Sequence, residues 1–247
     1  MANFPPLKNY IIYCLDRLID SYDIQGPFLD VGCGIGDISA HLARKGWAGM
    51  ALDVSEQALK VAEDNLKPFH DVKTAEMSLF ELEGAFKTIL AMDVIEHLDN
   101  DTEALTKLVT LLDDQGHLVL SVPTNPKEWR WDDDFYGHVR RYSHAELTKR
   151  LHSCGFTVVE MWDFTFPVFW LMRRIYTRLK KPAKTTHDDA ANRTKDSSLT
   201  NSWDIPLLSR ALSGDSFVWQ LTFRLQHSCF RGCLNNGHEA IVLARKR

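Results

Sequence analysis

The sequence has no long hydrophobic run. No stretch of about eighteen residues is apolar and free of charge, so no membrane-spanning helix is expected. It has no excess of positive charge either: 29 Lys and Arg stand against 33 Asp and Glu, a net charge of −4. The bulk field therefore attracts no polyanion, and no stretch interleaves aromatic with basic residues as a nucleic-acid groove does. No basic start, apolar core and small-residue cleavage site follow one another near residue 1, so no secretory leader is expected and the cytoplasm is the expected compartment. Cysteines are few, odd in number and scattered: Cys14, Cys33, Cys154, Cys229 and Cys233. That excludes a disulfide framework and suits reduced thiols. Cys229 and Cys233 lie one helical turn apart with His227 and His238 nearby, but the spacing supports zinc weakly. Packed thiols are the favoured reading, and no metal is expected.

What the chain does have is 45% apolar content over 247 residues, enough for one α/β domain with insertions. Glycine is modest, with 13 in all, yet three fall within five positions at Gly32, Gly34 and Gly36. They follow the apolar strand Phe28 to Val31, which carries Asp30. Such a turn bends sharply and lets a nucleoside ligand approach the backbone. The dinucleotide fingerprint G-x-G-x-x-G is a rival, but Asp37 stands where its third glycine would be. A carboxylate there repels a pyrophosphate. A ligand carrying an ammonium and a sulfonium, such as S-adenosylmethionine, meets no such objection.

The pattern of elements alternates. The spacing of Tyr10, Ile11, Cys14, Leu15, Leu18 and Ile19 predicts an N-terminal helix. Strands are expected at Phe28 to Val31, Ala48 to Asp53, Val72 to Ala75, Thr88 to Met92 and His117 to Val122. Helices are expected at Ile38 to Lys45, at Glu56 to Leu66 with Ser55 as N-cap, and at about Thr102 to Leu112, broken by Asp113 to Gly116. Ser143 to Cys154 reads as a helix with a capping box of Ser143 and Glu146. Phe156 to Trp162 and Ala240 to Ala244 are the last strands. Alternation at these lengths implies right-handed crossovers and a doubly wound, mostly parallel sheet, with ligand at the carboxyl ends of its strands.

Three blocks resemble the class I S-adenosylmethionine-dependent methyltransferases. They are Leu29 to Gly36 with Asp53, the stretch Met92-Asp93-Val94-Ile95-Glu96-His97-Leu98, and Gly137-His138-Val139-Arg140-Arg141-Tyr142-Ser143. The resemblance covers about Pro27 to Glu160 and lies with the small-molecule branch, types 11 and 23, including ubiquinone-biosynthesis O-methyltransferases. It implies a seven-stranded Rossmann-like sheet whose last strand inserts antiparallel, and S-adenosylmethionine as cofactor. Asp30, Gly32, Cys33, Gly34 and Gly36 would then frame the methionine end. Asp53 would take the ribose hydroxyls, Val54 the adenine face and Glu76 the adenine amino group. Met92 and Asp93 would line the far side. The resemblance divides the chain into a core of 1–163, an insertion of 164–237 and a final strand at 238–247.

Methyl transfer to oxygen needs alignment and a base for the acceptor proton. His97 and His138 are the candidates. His97 is equally readable as a residue that caps or orients its loop. Arg140 shares a face with His138 in an extended segment and reads as an anion-binding guanidinium for the acceptor, or as a partner of Asp132, Asp133 or Asp134. Tyr142 is carried as a substrate-side residue, with packing as the alternative. In the insertion, Val168, Leu171, Met172, Ile175, Tyr176 and Leu179 form an apolar stripe, and the other positions hold Arg173, Arg174, Arg178, Lys180 and Lys181. Such a helix, over 168–181, reads either as a lid or as a peripheral membrane contact. Residues 182–202 read as a flexible polar linker, and apolar groups return from Trp203 to Phe230. A small or lipid-like acceptor fits. The competing class is a methyltransferase-like subunit that binds or activates a partner without catalysis.

Overall fold

Phe28–Val31 (β1) is buried at all four positions, because it runs through the centre of a seven-stranded sheet. The computed structural model describes residues 6–180 and 217–247. In chain order the other strands are β2 (Gly49–Asp53), β3 (Val72–Glu76), β4 (Phe86–Met92), β5 (Leu112–Pro123), β6 (Phe156–Asp163) and β7 (Glu239–Lys246). The sheet order is β3-β2-β1-β4-β5-β7-β6, parallel except where β7 lies antiparallel between β5 and β6. That is the expected doubly wound architecture, with the last strand inserted as the resemblance implied.

Helices cover both faces. They are α1 (Pro6–Tyr22), α2 (Asp37–Arg44), α3 (Glu56–Leu66), α4 (Asp101–Leu111), α5 (Trp131–Tyr136), α6 (His144–Ser153), α7 (Val168–Leu179) and α8 (Phe217–Phe230). Successive strand residues point to opposite faces. Phe28, Ala51, Leu90, Val119 and Ile241 therefore join α1, α2 and α3 in one core. Leu29, Leu52, Ile89, Leu118 and Val242 join α4 and α6 in the other. Ser55 caps α3 as expected, its hydroxyl accepting from the Ala58 N–H at 3.4 Å.

Several expectations need correction. β5 begins at Leu112, not His117. Phe86 pairs with Leu112 and Thr88 with His117, so residues 113–116 bulge from the strand as a tight excursion. The Ser143 hydroxyl accepts from the Glu146 N–H at 3.2 Å, but the Glu146 carboxylate turns to Arg150 and no capping box closes. Cys14 and Cys154 are buried, whereas Cys229 is exposed and Cys233 half-buried, so the second pair are not core thiols.

The insertion helices depart most from the sequence pattern. α7 buries Phe169, Arg173, Tyr176 and Thr177, while Leu171, Ile175 and Leu179 stay exposed. The buried Arg173 forms a bidentate pair with Asp132, at 2.7 and 2.6 Å. Arg174 pairs with Glu128 and lies over the Trp170 ring. Two of the cations on its expected polar side are thus paired within the protein. α8 packs through Trp219, Phe223, Gln226 and His227. Tyr10 of α1 meets Phe169 of α7 at 5.3 Å and Phe223 of α8 at 5.1 Å between ring centroids. The insertion is therefore anchored on the N-terminal helix. The flexible-linker expectation at 182–202 and the apolar return between 203 and 216 lie outside the described residues.

Among the described residues no helix is long and apolar enough to cross a membrane.

Candidate active site

The cofactor end of the site follows from strand register. Val31 pairs with Leu52 on one side and Ala91 on the other, and Asp53 pairs with Glu76. Gly32, Asp53 and Met92 therefore stand one residue beyond the same line across the sheet. Gly32, Gly34 and Gly36 have φ values of 67, 54 and 77°, in the left-handed region that disfavours side chains. The turn bends back so that the Gly34 N–H donates to Asp53 Oδ2 at 2.8 Å, and Ser55 N–H donates to Oδ1 at 2.8 Å. Each carboxylate oxygen keeps a lone pair for a ribose hydroxyl. Val54 is 50% exposed beside it, and Glu76 is exposed at the end of β3. Half-buried Cys33, Met92 and Asp93 complete the rim. These residues fit S-adenosylmethionine: a left-handed glycine turn, a ribose-level carboxylate and an open apolar face for adenine.

Asp30 is 2% exposed and takes the Ser39 hydroxyl at 2.6 Å, which ties the end of β1 to α2 beneath the glycine turn. Burial, with the nearby Asp53 charge, pushes its carboxyl up to about 6 against the opposing Ser39 hydrogen bond. Gly36 packs tightly on α3: an added Cβ would stand 3.1 Å from Ala62 Cβ, on a backbone whose φ already strains any side chain. At Gly32 it would stand 2.7 Å from Val94 Cγ2. Asp37 opens α2 and pairs with Lys8 of α1, which answers its charge.

The acceptor end lies past β4. Asp93 has φ 55°, and its Oδ1 takes the Ser121 hydroxyl at 2.7 Å. The chain then turns through Ile95–His97, and the rings of His97 and His138 meet edge to face at 4.9 Å. The structure brings together the two histidines expected to do the chemistry. Burial, reinforced by the neighbouring His138, holds His97 down to about 4, so it is neutral near pH 7. Its Nδ1 lies 3.2 Å from the Gly137 carbonyl, which makes Nδ1 the donor. His138 Nδ1 lies 2.9 Å from Asp133 Oδ1.

Two carboxyls here were not foreseen as site residues. Glu96 is 0% exposed, and neither side-chain oxygen accepts a hydrogen bond among the described residues. Burial and the Asp93 charge push it well above the usual carboxylate range. Glu239, at the start of β7, has a buried Oε2 without a hydrogen-bond donor, and burial beside Asp93 pushes it up to about 8. The Glu96-His97 pair was visible as a motif, but only the fold shows Glu96 turned inward. Glu239 lies far downstream and gave no local signal. The absence of a metal, expected from the cysteines, also needs qualifying. Glu96, His97 and His138 offer ligand atoms within 4.8 Å of one another, the makings of a divalent-cation site.

Arg140 and Tyr142 are both tied to Asp101. Arg140 pairs with Asp101 at 2.8 Å and donates to the Asp99 carbonyl at 2.8 Å, so its partner is not one of Asp132 to Asp134. Tyr142 is fully buried, and its hydroxyl donates to Asp101 Oδ2 at 2.6 Å. Asp101 opens α4, and these contacts lock the segment after β5 onto that helix. The arginine that does enter the corner is Arg141.

A doubly wound sheet with a left-handed glycine turn and a ribose-level carboxylate defines the class: a Rossmann-like, S-adenosylmethionine-binding domain. The family model described as a methyltransferase domain matches residues 11–161, and the chain belongs to that family. It is similar to a ubiquinone biosynthesis O-methyltransferase of Caulobacter vibrioides, with 40% identity over 133 residues, 47% of this chain and 53% of that protein. The chain thus spans about half the length of the relatives it matches. In fold it resembles a putative sarcosine dimethylglycine methyltransferase from Galdieria sulphuraria, with TM-score 0.61, 14% identity, and coverage of 97% of this chain and 86% of that one. It also resembles the 1,6-didemethyltoxoflavin-N1-methyltransferase of Burkholderia thailandensis, solved with bound 1,6-didemethyltoxoflavin and S-adenosylhomocysteine. That likeness has TM-score 0.57 at 15% identity, over 96% of this chain and 78% of that one.

Proposed function

We propose that this chain transfers the methyl group of S-adenosylmethionine to an oxygen of a small or lipid-like acceptor. The observation that carries the reading is the histidine pair past β4, 4.9 Å apart, beside the turn that fits the cofactor. When bound, the cofactor supplies an electrophilic methyl group on a sulfonium. The chain does the rest. The glycine turn and Asp53 fix the donor, and the corner past β4 and β5 aligns the acceptor; proximity of this kind lowers the barrier by several kcal/mol. His138 turns its Nε2 away from Asp133 and accepts the hydroxyl proton. His97, neutral and tied to Gly137, orients the loop and walls the pocket.

Oxygen as the accepting atom is supported by the O-methyltransferases among the relatives. A lipid-like acceptor is supported by Leu171, Ile175 and Leu179 on α7 and by Phe217, Val218 and Leu225 on α8, all exposed. Peripheral membrane contact through α7 therefore rests on the apolar side chains of that helix and the exposed Arg178, and not on Arg173 or Arg174. A second reading rests on Glu96: a buried carboxylate without hydrogen bonds, beside two imidazoles, suits a divalent cation that would polarise the acceptor oxygen.

The test uses radiolabelled S-adenosylmethionine with a panel of phenols and quinols, with and without alkyl tails. Label is expected in the organic phase, more with tailed acceptors. Failure of S-adenosylmethionine and S-adenosylhomocysteine alike to raise the melting temperature would sink the reading and favour a non-catalytic subunit. Dialysis against a chelator separates the two versions: activity persists if His138 acts alone as base and vanishes if a cation is needed.

A further inference from the structure

Asp133 sits at the third position of α5 with its carboxylate fully buried, and no role in the chemistry has been given to it. Its Oδ1 faces His138 Nδ1 at 2.9 Å and accepts from Arg141 Nε at 2.8 Å, with Arg141 Nη2 in ion-pair contact at 2.7 Å. Its Oδ2 accepts from the Arg130 N–H at 2.8 Å and from Arg173 Nη2 at 2.8 Å. Two guanidiniums, those of Arg141 and Arg173, and one backbone N–H converge on this buried carboxylate and hold it as an acceptor. An ionised carboxylate can only accept. His138 Nδ1 must therefore carry a proton, and in the neutral imidazole Nε2 is the acceptor nitrogen.

The clamps come from distant parts of the chain. Arg141 Nη1 also donates to the Thr124 carbonyl at 2.8 Å and to the His238 carbonyl at 2.9 Å, which ties Asp133 to the end of β5 and the entry to β7. Arg173 belongs to α7 of the insertion and holds Asp132 as well. The His138 backbone N–H donates to the Asp133 carbonyl at 2.9 Å, so ring and backbone are fixed by one residue.

We propose that Asp133 is the positioning residue of His138: it selects the Nδ1–H tautomer, and Arg141 and Arg173 hold it in place. The insertion thereby reaches the reacting corner through one arginine. This deepens the reading of His138 as the proton acceptor, and the same tautomer would serve if His138 ligated a cation.

The test is the ring-nitrogen spectrum of the full chain labelled with 15N-histidine, which needs no acceptor. In the native protein His138 shows the Nδ1–H form. In Asp133→Asn the ratio of Nδ1–H to Nε2–H falls by about tenfold or more, because a charge-assisted acceptor is lost. Asp133→Glu restores much of it, and Asp132→Asn, which removes only an Arg173 contact, leaves it unchanged. An unaltered His138 spectrum in a folded Asp133→Asn protein would overturn the proposal, as would an equal change in Asp132→Asn. A tautomer shift without methyl transfer by any form would leave this inference standing and remove the proposed reaction instead.

Discussion

Replacing Asp30 by asparagine should stabilise the ligand-free protein at neutral pH, by an amount that shrinks as the pH falls. Asp30 ordinarily would titrate near 3.8 but is pushed up to about 6 by burial and by Asp53. The folded chain thus holds this proton more tightly than the unfolded chain. Its contribution to stability is complete at low pH and is lost as the pH rises from about 4 to about 6. At pH 7.5 the ionised carboxylate costs the fold about 3 kcal/mol, and at pH 4.5 only about 1 kcal/mol. An asparagine carries no such penalty and can still accept from Ser39. Whatever its amide costs in packing is the same at both pH values. Urea unfolding of both proteins should therefore show the advantage of the variant growing by about 2 kcal/mol between pH 4.5 and pH 7.5. Calorimetry adds a second reading. Cofactor affinity of the native protein should rise through pH 6, as a cationic ligand favours the ionised carboxylate, and that of the variant should stay flat. A stability difference independent of pH would refute the argument that Asp30 is a strained, proton-holding residue.

His138→Gln should lower kcat by about a hundredfold to ten-thousandfold while cofactor binding, read by thermal shift, is retained. Arg173→Met should cost about 3–5 kcal/mol in urea unfolding, since Asp132 and Asp133 are left buried without their shared cation. Gly32→Ala combines a left-handed φ of 67° with a Cβ 2.7 Å from Val94 Cγ2. It should lose about 2–3 kcal/mol, and adding Val94→Ala should recover the steric part while the backbone strain of about 1 kcal/mol remains. Leu171→Asp with Ile175→Asp should abolish co-sedimentation with vesicles of anionic phospholipid if α7 touches membranes. Equal sedimentation of native and variant chains would remove that role.

Local signals carried much of the architecture. β1 and α3 fall at the expected residues because their ends are marked by residues with one physical job: Gly32 for a positive φ, Ser55 for a free hydroxyl. The inserted antiparallel strand was anticipated from the family pattern and not from its own sequence. Partnership between distant residues was harder to see. The stripe on α7 suggested a lid or a membrane contact with a cationic polar side, because nothing within one helix shows that Arg173 meets two acids some forty residues upstream. Those acids were noticed, but Arg140 was the expected partner. The alternation that set Arg140 beside His138 assumed an extended segment, and α4 instead captures Arg140 and Tyr142 through Asp101. The run Asp132-Asp133-Asp134 facing an arginine-rich insertion was the available clue.

The position of β7 has a consequence for how the molecule comes into being on the ribosome. Both neighbours of that strand, β5 and β6, are synthesised earlier and present bare edges until residues 239–246 emerge. During that interval the nascent chain exposes two template edges of the sort that recruit stray strands or chaperones. The reacting corner shares this timing, since the His238 carbonyl that anchors Arg141 arrives with the same strand. A chain stalled or clipped before residue 238 would lack that anchor, so the corner proposed for the chemistry is completed late in synthesis.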